Sequence, residues 1–387
     1  MKKKLFIDIV VFLVFVLLII WGQAAVLASS ERLQTFEEKI RNFREELNIP
    51  GMSVAILQGQ EVIFSQGFGY ADVENKIMAT QNTPYHIAFL TKPFAAALIM
   101  QLVEENKLNL DSEIKDILKD SFLPPLPLDG KPHQGYASAC DRIIELQNDN
   151  SYPIAFLLQD YNCNTQRITV RHHLTHTSQG IPGEKYQYNG LLFAFLTFVI
   201  EAASGESFKE QLVKNIIEPL GMTSTFPGNS GNANIQVLKD CAKPYQIDKE
   251  GNPVRSNFDY TEGAIYASAG MISTVLDLAK FDIAMNQNLL VSEKSKEEMF
   301  TSTLTSSGQP LPYGLGWFVQ TYKGIKLIWH YGYEPGAYSS LILKIPEKET
   351  TLILLANSDG VSASFGLGEG NIFNSPFAVE FINLFIM

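Results

Sequence analysis

Apolar residues recur at three and four positions over residues 31–48, where Leu33, Phe36, Ile40 and Phe43 share one helical face. That spacing predicts an amphipathic helix. Two β-rich runs follow in "GMSVAILQGQEVIFSQGFG", hinged at Gly59-Gln60 as a hairpin. The stretch "LTKPFAAALIMQLV" is apolar nearly all round as far as Val103, which predicts a buried helix. Pro93 must lie near its start, where a missing N–H is harmless. Phe89 then stands at the helix mouth, and its backbone N–H has no partner within the helix. Residues 119–166 break the pattern with the Pro-rich "FLPPLPLDGKP" and the polar "LQNDNS", and read as a long loop or insertion. Helical patterns return from residue 168 to about 222, with Gly205 and Gly221 as stops. The last quarter reads as strands, "GLGWFVQTY", "IKLIWHYG", "YSSLILKIP" and "TTLILLANS", turning at Lys323-Gly324 and Glu347-Lys348, then a terminal helix "SPFAVEFINLFIM". Strands at both ends with helices between predict an α+β fold: an antiparallel sheet built from both termini, flanked by helices, with a helical lobe inserted.

Composition narrows this picture. A chain of 387 residues that is 46% hydrophobic buries a large core. The formal charge is −11 and no basic stripe lies beyond the first residues, so nucleic acid is not an expected partner. Three lysines, an apolar run from Leu5 and the small-residue tail "WGQAAVLASS" describe a secretory signal over residues 1–28, or an uncleaved anchor over residues 5–26. Either places the rest of the chain outside the cytoplasm, periplasmic or secreted, and makes the N-terminus the only expected membrane contact. Of the three cysteines, Cys140 and Cys163 flank one irregular stretch and are the preferred pair; three free buried thiols are the alternative.

With these elements in order, "PGMSVAIL", "IAFLTKPFAAALIMQLVEENKLNLDSEI", "ITVRHHLTHTSQG", "SAGMISTVLDLAKF" and "WHYGYEPGAYSSLILKIPEKETTLILLANSDG" resemble the serine β-lactamase and penicillin-binding-protein family, in its class C-like esterase branch. The resemblance covers most of residues 32–387 and is weakest at 119–166; it implies one such domain with a helical lobe over roughly 105–260. It also implies two-step acyl transfer by a Ser hydroxyl activated by a Lys one helical turn later. Lys92 matches that lysine, and Phe89 stands at the nucleophile position. Tyr188 matches the tyrosine of a Y-x-N motif whose third position is Gly190 instead of Asn, and His330-Tyr331-Gly332 matches an H-x-G strand. The oxyanion donors would be the N–H groups of Phe89 and Tyr333, with Gly190 and Gly332 lining the substrate. No cofactor is implied.

Phe cannot attack a carbonyl, and Thr91 points about 100° away from Lys92 on a helix. Two accounts follow. The chain is a hydrolase relative for β-lactam, D-Ala peptide or small ester substrates, impaired by Phe89; or it is a binding or scaffold protein whose cleft takes a small molecule, peptide or peptidoglycan-like ligand. Each site residue also has a plainer reading: Lys92 as a buried lysine paired elsewhere, Tyr188 as lobe packing beside Tyr186, His330 as a hydrogen-bonded strand histidine. His172, His173 and His176 lack the intervening glutamate of a zinc helix, and no metal is expected.

Overall fold

A computed structural model describes residues 31–124, 130–149, 151–153, 155–228, 235–259 and 265–386. The expected signal or anchor lies outside them. Among the described residues, no single helix is long and apolar enough to cross a membrane.

The β-rich runs form seven strands: β1 (Gly51–Gln58), β2 (Glu61–Asp72), β3 (Ile77–Met78), β4 (Phe318–Tyr322), β5 (Ile325–Glu334), β6 (Tyr338–Ile345) and β7 (Thr350–Ala356). They pair in one sheet in the order β4-β5-β6-β7-β1-β2-β3, each neighbour antiparallel. The two ends of the chain meet where Val54 faces Leu354. At the Lys323-Gly324 turn both residues have positive φ, 50° and 79°, which matches the twist of the strands it joins.

Strand alternation then sorts the core. Met52, Val54, Ile56, Leu352 and Leu354 face one side; Ala55, Leu57, Ile353 and Leu355 face the other. The first side is covered by the helix over residues 31–46 (α1), together with the C-terminal helix described below. The second is covered by the helix over Val275–Asn286, with the almost wholly buried α2 (Thr91–Glu104) packed behind it, where Phe94 stacks on Phe281. Continuing along the chain come α3 (Gly135–Gln147), α4 (Leu196–Ser204), α5 (Val275–Asn286) and α6 (Pro376–Ile386). Phe36 and Phe43 of α1 meet Phe381 and Phe377 of α6 edge to face. Gly205 ends α4 at φ 75°, the left-handed cap its position predicts.

Residues 119–166 correct the expectation of a loop. They contain α3, whose buried residues Tyr136, Ala139, Cys140, Ile143 and Leu146 recur at helical spacing. The flanking Pro-rich and polar segments hide that pattern. Cys140 and Cys163 are disulfide-bonded, tying α3 to the end of the insertion, and Cys241 is free and buried.

Candidate active site

The site begins at the entry to α2. Residues Ala88–Leu90 form a 3-10 turn before the helix proper, so Phe89 sits on the turn and Lys92 on the first helical turn. Ala88 has φ 48°, a strained value for an L-residue, and it orients the peptide that carries Phe89. Three bonds hold the strain. Thr91 Oγ1 donates to the Ala88 carbonyl (2.8 Å) and accepts from the Met271 N–H (3.3 Å), and Ser340 Oγ donates to the Ile87 carbonyl (2.9 Å). Thr91 is thus a fully buried structural residue, which removes it as an alternative nucleophile.

Gly332 brings β5 against this turn. A Cβ there would lie 2.4 Å from the Ile87 carbonyl oxygen and 2.0 Å from Ser340 Oγ, so only glycine lets the strand approach. The backbones that carry Phe89 and Tyr333 are adjacent for this reason. In an acyl-transfer site two such N–H groups would hold the substrate carbonyl oxygen; position 89 lacks the hydroxyl that would attack that carbonyl.

Lys92 is completely buried. Its Nζ donates to the Tyr188 hydroxyl (2.9 Å) and to the Ser268 carbonyl (3.3 Å). No carboxylate pairs with it in these bonds. Three aromatic faces surround the amine, Phe89 at 3.8 Å, Tyr188 at 4.7 Å and Phe193 at 5.4 Å. Such a face favours an ammonium by about 2 kcal/mol or more when the site is desolvated. Desolvation opposes it more strongly, and burial holds the Lys92 pKa well below the ordinary ammonium value. Burial, with Tyr331, Tyr313 and Tyr186 nearby, pushes the Tyr188 phenol well above its usual value. The contact between Lys92 and Tyr188 selects between the two motif tyrosines: Tyr186 donates its hydroxyl elsewhere, to the Gly368 carbonyl at 2.9 Å.

Phe89 and Gly190 fit each other. A Cβ on Gly190 would stand 3.7 Å from Phe89 Cε1 and 4.0 Å from both Phe89 Cζ and Lys92 Nζ. The Phe89 ring therefore fills the space into which a longer side chain at position 190 would reach. The ring also meets Tyr188 (centroids 5.7 Å apart) and Tyr331 (6.1 Å, edge to face). Phe89 and Gly190, the two positions at which the sequence differs from the motifs it resembles, are therefore neighbours in the fold.

His330 is placed differently from its catalytic reading. It is completely buried. Its Nδ1 donates to the Tyr331 carbonyl (2.7 Å), which leaves Nε2 to accept from the Tyr313 hydroxyl (2.8 Å). Burial and the nearby Lys92 depress its pKa well below the usual imidazole value. With both nitrogens engaged, His330 positions Tyr313 and the strand and presents no free nitrogen to a ligand. The histidines at 172, 173 and 176 serve separate tasks. His172 Nδ1 accepts from the Thr169 N–H, His173 bridges Tyr161 and the Leu192 carbonyl, and His176 Nδ1 accepts from the Asn189 N–H.

Two contributors lie outside the residues the motifs single out. Tyr331 enters the sequence pattern only as the middle of H-x-G, yet its ring closes the site over Phe89. Asn189, beside Tyr188, is buried, and its Oδ1 caps the short helix Gly190–Phe193 at the Leu191 and Leu192 N–H groups (3.0 Å each). An Asn before Gly and an apolar run is a helix-start signal present in the sequence.

The family model described as Beta-lactamase matches residues 36–373. The chain belongs to the β-lactamase family. This β-lactamase-family chain is 27% identical to penicillin-binding protein 4* of Bacillus subtilis (strain 168), over 79% of its length and 68% of the relative's. It is 25% identical to protein flp of Staphylococcus aureus (strain N315), over 85% of its length and 64% of that protein's. The chain thus spans about two thirds of the length of these relatives. In structure it is similar to the octameric penicillin-binding protein homologue from Pyrococcus abyssi, with TM-score 0.63 and 30% identity, covering 85% of this chain and 74% of that one. The fold is therefore β-lactamase/transpeptidase-like, an antiparallel sheet with helices.

Proposed function

We propose that this chain is an extracytoplasmic, non-hydrolysing member of the β-lactamase family, whose cleft binds a small-molecule, peptide or peptidoglycan-like ligand without acylation. The observation that carries the reading is the seat of Phe89. Its ring lies over Lys92 Nζ at 3.8 Å and occupies the space left by Gly190. A substitution alone would leave a site built for serine. Here Gly190 carries no side chain beside the ring, so the site accommodates Phe89 without a clash, which favours a chain that does without turnover. Removing one member of a nucleophile–base unit loses most of the catalysis such a unit provides. The penicillin-binding names of its relatives favour a β-lactam-like ligand. The basic and apolar N-terminus and the Cys140–Cys163 disulfide support an oxidising, extracytoplasmic location.

A second reading draws on the retained bond between Lys92 and Tyr188, which keeps the base in place for a hydroxyl at position 89. One experiment addresses both readings. The parent chain, Phe89→Ser and Phe89→Ser with Gly190→Asn are compared for nitrocefin and p-nitrophenyl ester hydrolysis, fluorophosphonate labelling and fluorescent-penicillin binding. The proposal expects no turnover and no label in the parent, and label first appearing in Phe89→Ser. A parent that hydrolyses substrate and takes the label would overturn it.

A further inference from the structure

The segment that bears Tyr188, residues 176–189, holds no strand or helix of its own, yet Tyr188 must be placed to within a hydrogen bond of Lys92. Its placement comes from the disulfide-bonded insertion. Gln179 Nε2 donates to the carbonyls of Leu157 (3.0 Å) and Gln159 (2.6 Å), and the Gly180 N–H donates to the Asp160 carbonyl (2.8 Å). Asn189 Nδ2 donates to the same Leu157 carbonyl (2.5 Å) and to Gln179 Oε1 (3.0 Å). The Gln179 and Asn189 side chains are both buried, where an unmet donor is costly, while the carbonyls they reach lie nearer the surface. A second buried chain runs parallel to the first. The Tyr136 and Tyr161 hydroxyls are hydrogen-bonded to each other, Tyr161 meets His173 Nε2 (3.0 Å), and His173 Nδ1 meets the carbonyl of Leu192, in the helix that follows Tyr188. On the far side the same segment is anchored to α3 twice. Gln147 Nε2 donates to the Tyr161 carbonyl (2.8 Å), and Cys163 is bonded to Cys140.

The geometry points to a brace: residues 157–163 of the insertion, locked to α3 by the Cys140–Cys163 disulfide and gripped by Gln179, set the position of Tyr188 over Lys92. Gln179 is a positioning residue, acting through Asn189 and Tyr188. The brace accounts for the insertion that the family resemblance left without a role. It does not depend on whether the cleft turns over a ligand.

The test uses the accessibility of the Lys92 amine to acetylation by an N-hydroxysuccinimide ester, followed residue by residue by mass spectrometry on the full chain. Lys344 is the internal control, since it is equally buried but paired with Asp282 between the sheet and α5. Gln179→Glu keeps the size of the side chain and replaces its two N–H donors with an oxygen facing two carbonyls. Cys140→Ser with Cys163→Ser releases the other end of the brace. The expected result is Lys92 acetylated at least tenfold faster in both variants, with Lys344 as protected as in the parent. Unchanged Lys92 protection in Gln179→Glu would overturn the brace. So would Lys92 and Lys344 becoming reactive together in that variant, since the bonds would then serve general stability alone. Gln179→Glu decides the question if the cysteine variant does not fold.

Discussion

The fit between Phe89 and Gly190 makes a quantitative prediction in a double-mutant cycle. Phe89 is only partly buried, and the full loss of a buried Phe side chain costs about 3–5 kcal/mol, so Phe89→Ser is expected to cost about 2 kcal/mol. Gly190→Ala adds one carbon 3.7 Å from Phe89 Cε1, an ordinary contact, and is expected to be nearly neutral. Gly190→Asn carries its amide beyond that carbon toward the ring and Lys92, and overpacking of this kind costs about 1–3 kcal/mol. With serine at position 89 the space is open, and the same asparagine should cost little. The two substitutions are therefore non-additive, with a coupling of about 1–3 kcal/mol in favour of the serine–asparagine combination. Guanidinium unfolding of the parent, the two single variants and the double variant, followed by tryptophan fluorescence at constant slope, measures it. If Gly190→Asn costs the same in the parent and in the Phe89→Ser background within about 0.5 kcal/mol, position 190 does not share the ring's space and the argument for a refitted site falls.

Three further outcomes follow from the buried polar groups. Lys92→Met should stabilise the fold, more at pH 6 than at pH 9. The folded Lys92 pKa is depressed by burial, so the unfolded chain binds the extra proton, and stability lost to the lysine returns as pH rises; denaturation midpoints at the two pH values check the sign. His86 and His173 are held neutral by burial with pKa values of about 4, so the unfolded state binds more protons between about 6.5 and 4 and stability falls as pH drops through that window. The full effect is about 3 kcal/mol per group, and His86→Phe should flatten the midpoint-versus-pH curve. Thr91→Val strips the Met271 N–H of its acceptor beside the strained Ala88 and is expected to cost about 1–3 kcal/mol in urea unfolding, with Thr91→Ser losing less.

Most of the architecture is legible in the sequence because it rests on local periodicity. The short continuous apolar runs in "TTLILLANS" and "YSSLILKIP", bounded by turn residues, read as strands buried on both faces, and the left-handed Lys323-Gly324 turn reads as the hairpin that joins β4 to β5. α3 escapes that reading because its helical spacing is framed by Pro and polar residues that mimic a loop. The site divides in the same way. Lys92 and Tyr188 can be placed because each belongs to a motif read along the chain. The role of His330 cannot, because it depends on Tyr313, which comes from outside its strand and occupies Nε2. The absence of serine at position 89 and the absence of asparagine at position 190 are separate facts in the sequence, about a hundred residues apart. Taken separately, the first suggests damage and the second a weakened ligand contact. Folding brings the two positions together, so that a Cβ on residue 190 would stand 3.7 Å from the Phe89 ring. The proposal that this chain does not turn substrate over rests on that neighbourhood, and the double-mutant cycle decides it: only if the Phe89 ring and a side chain at position 190 compete for the same space do the two departures act as one.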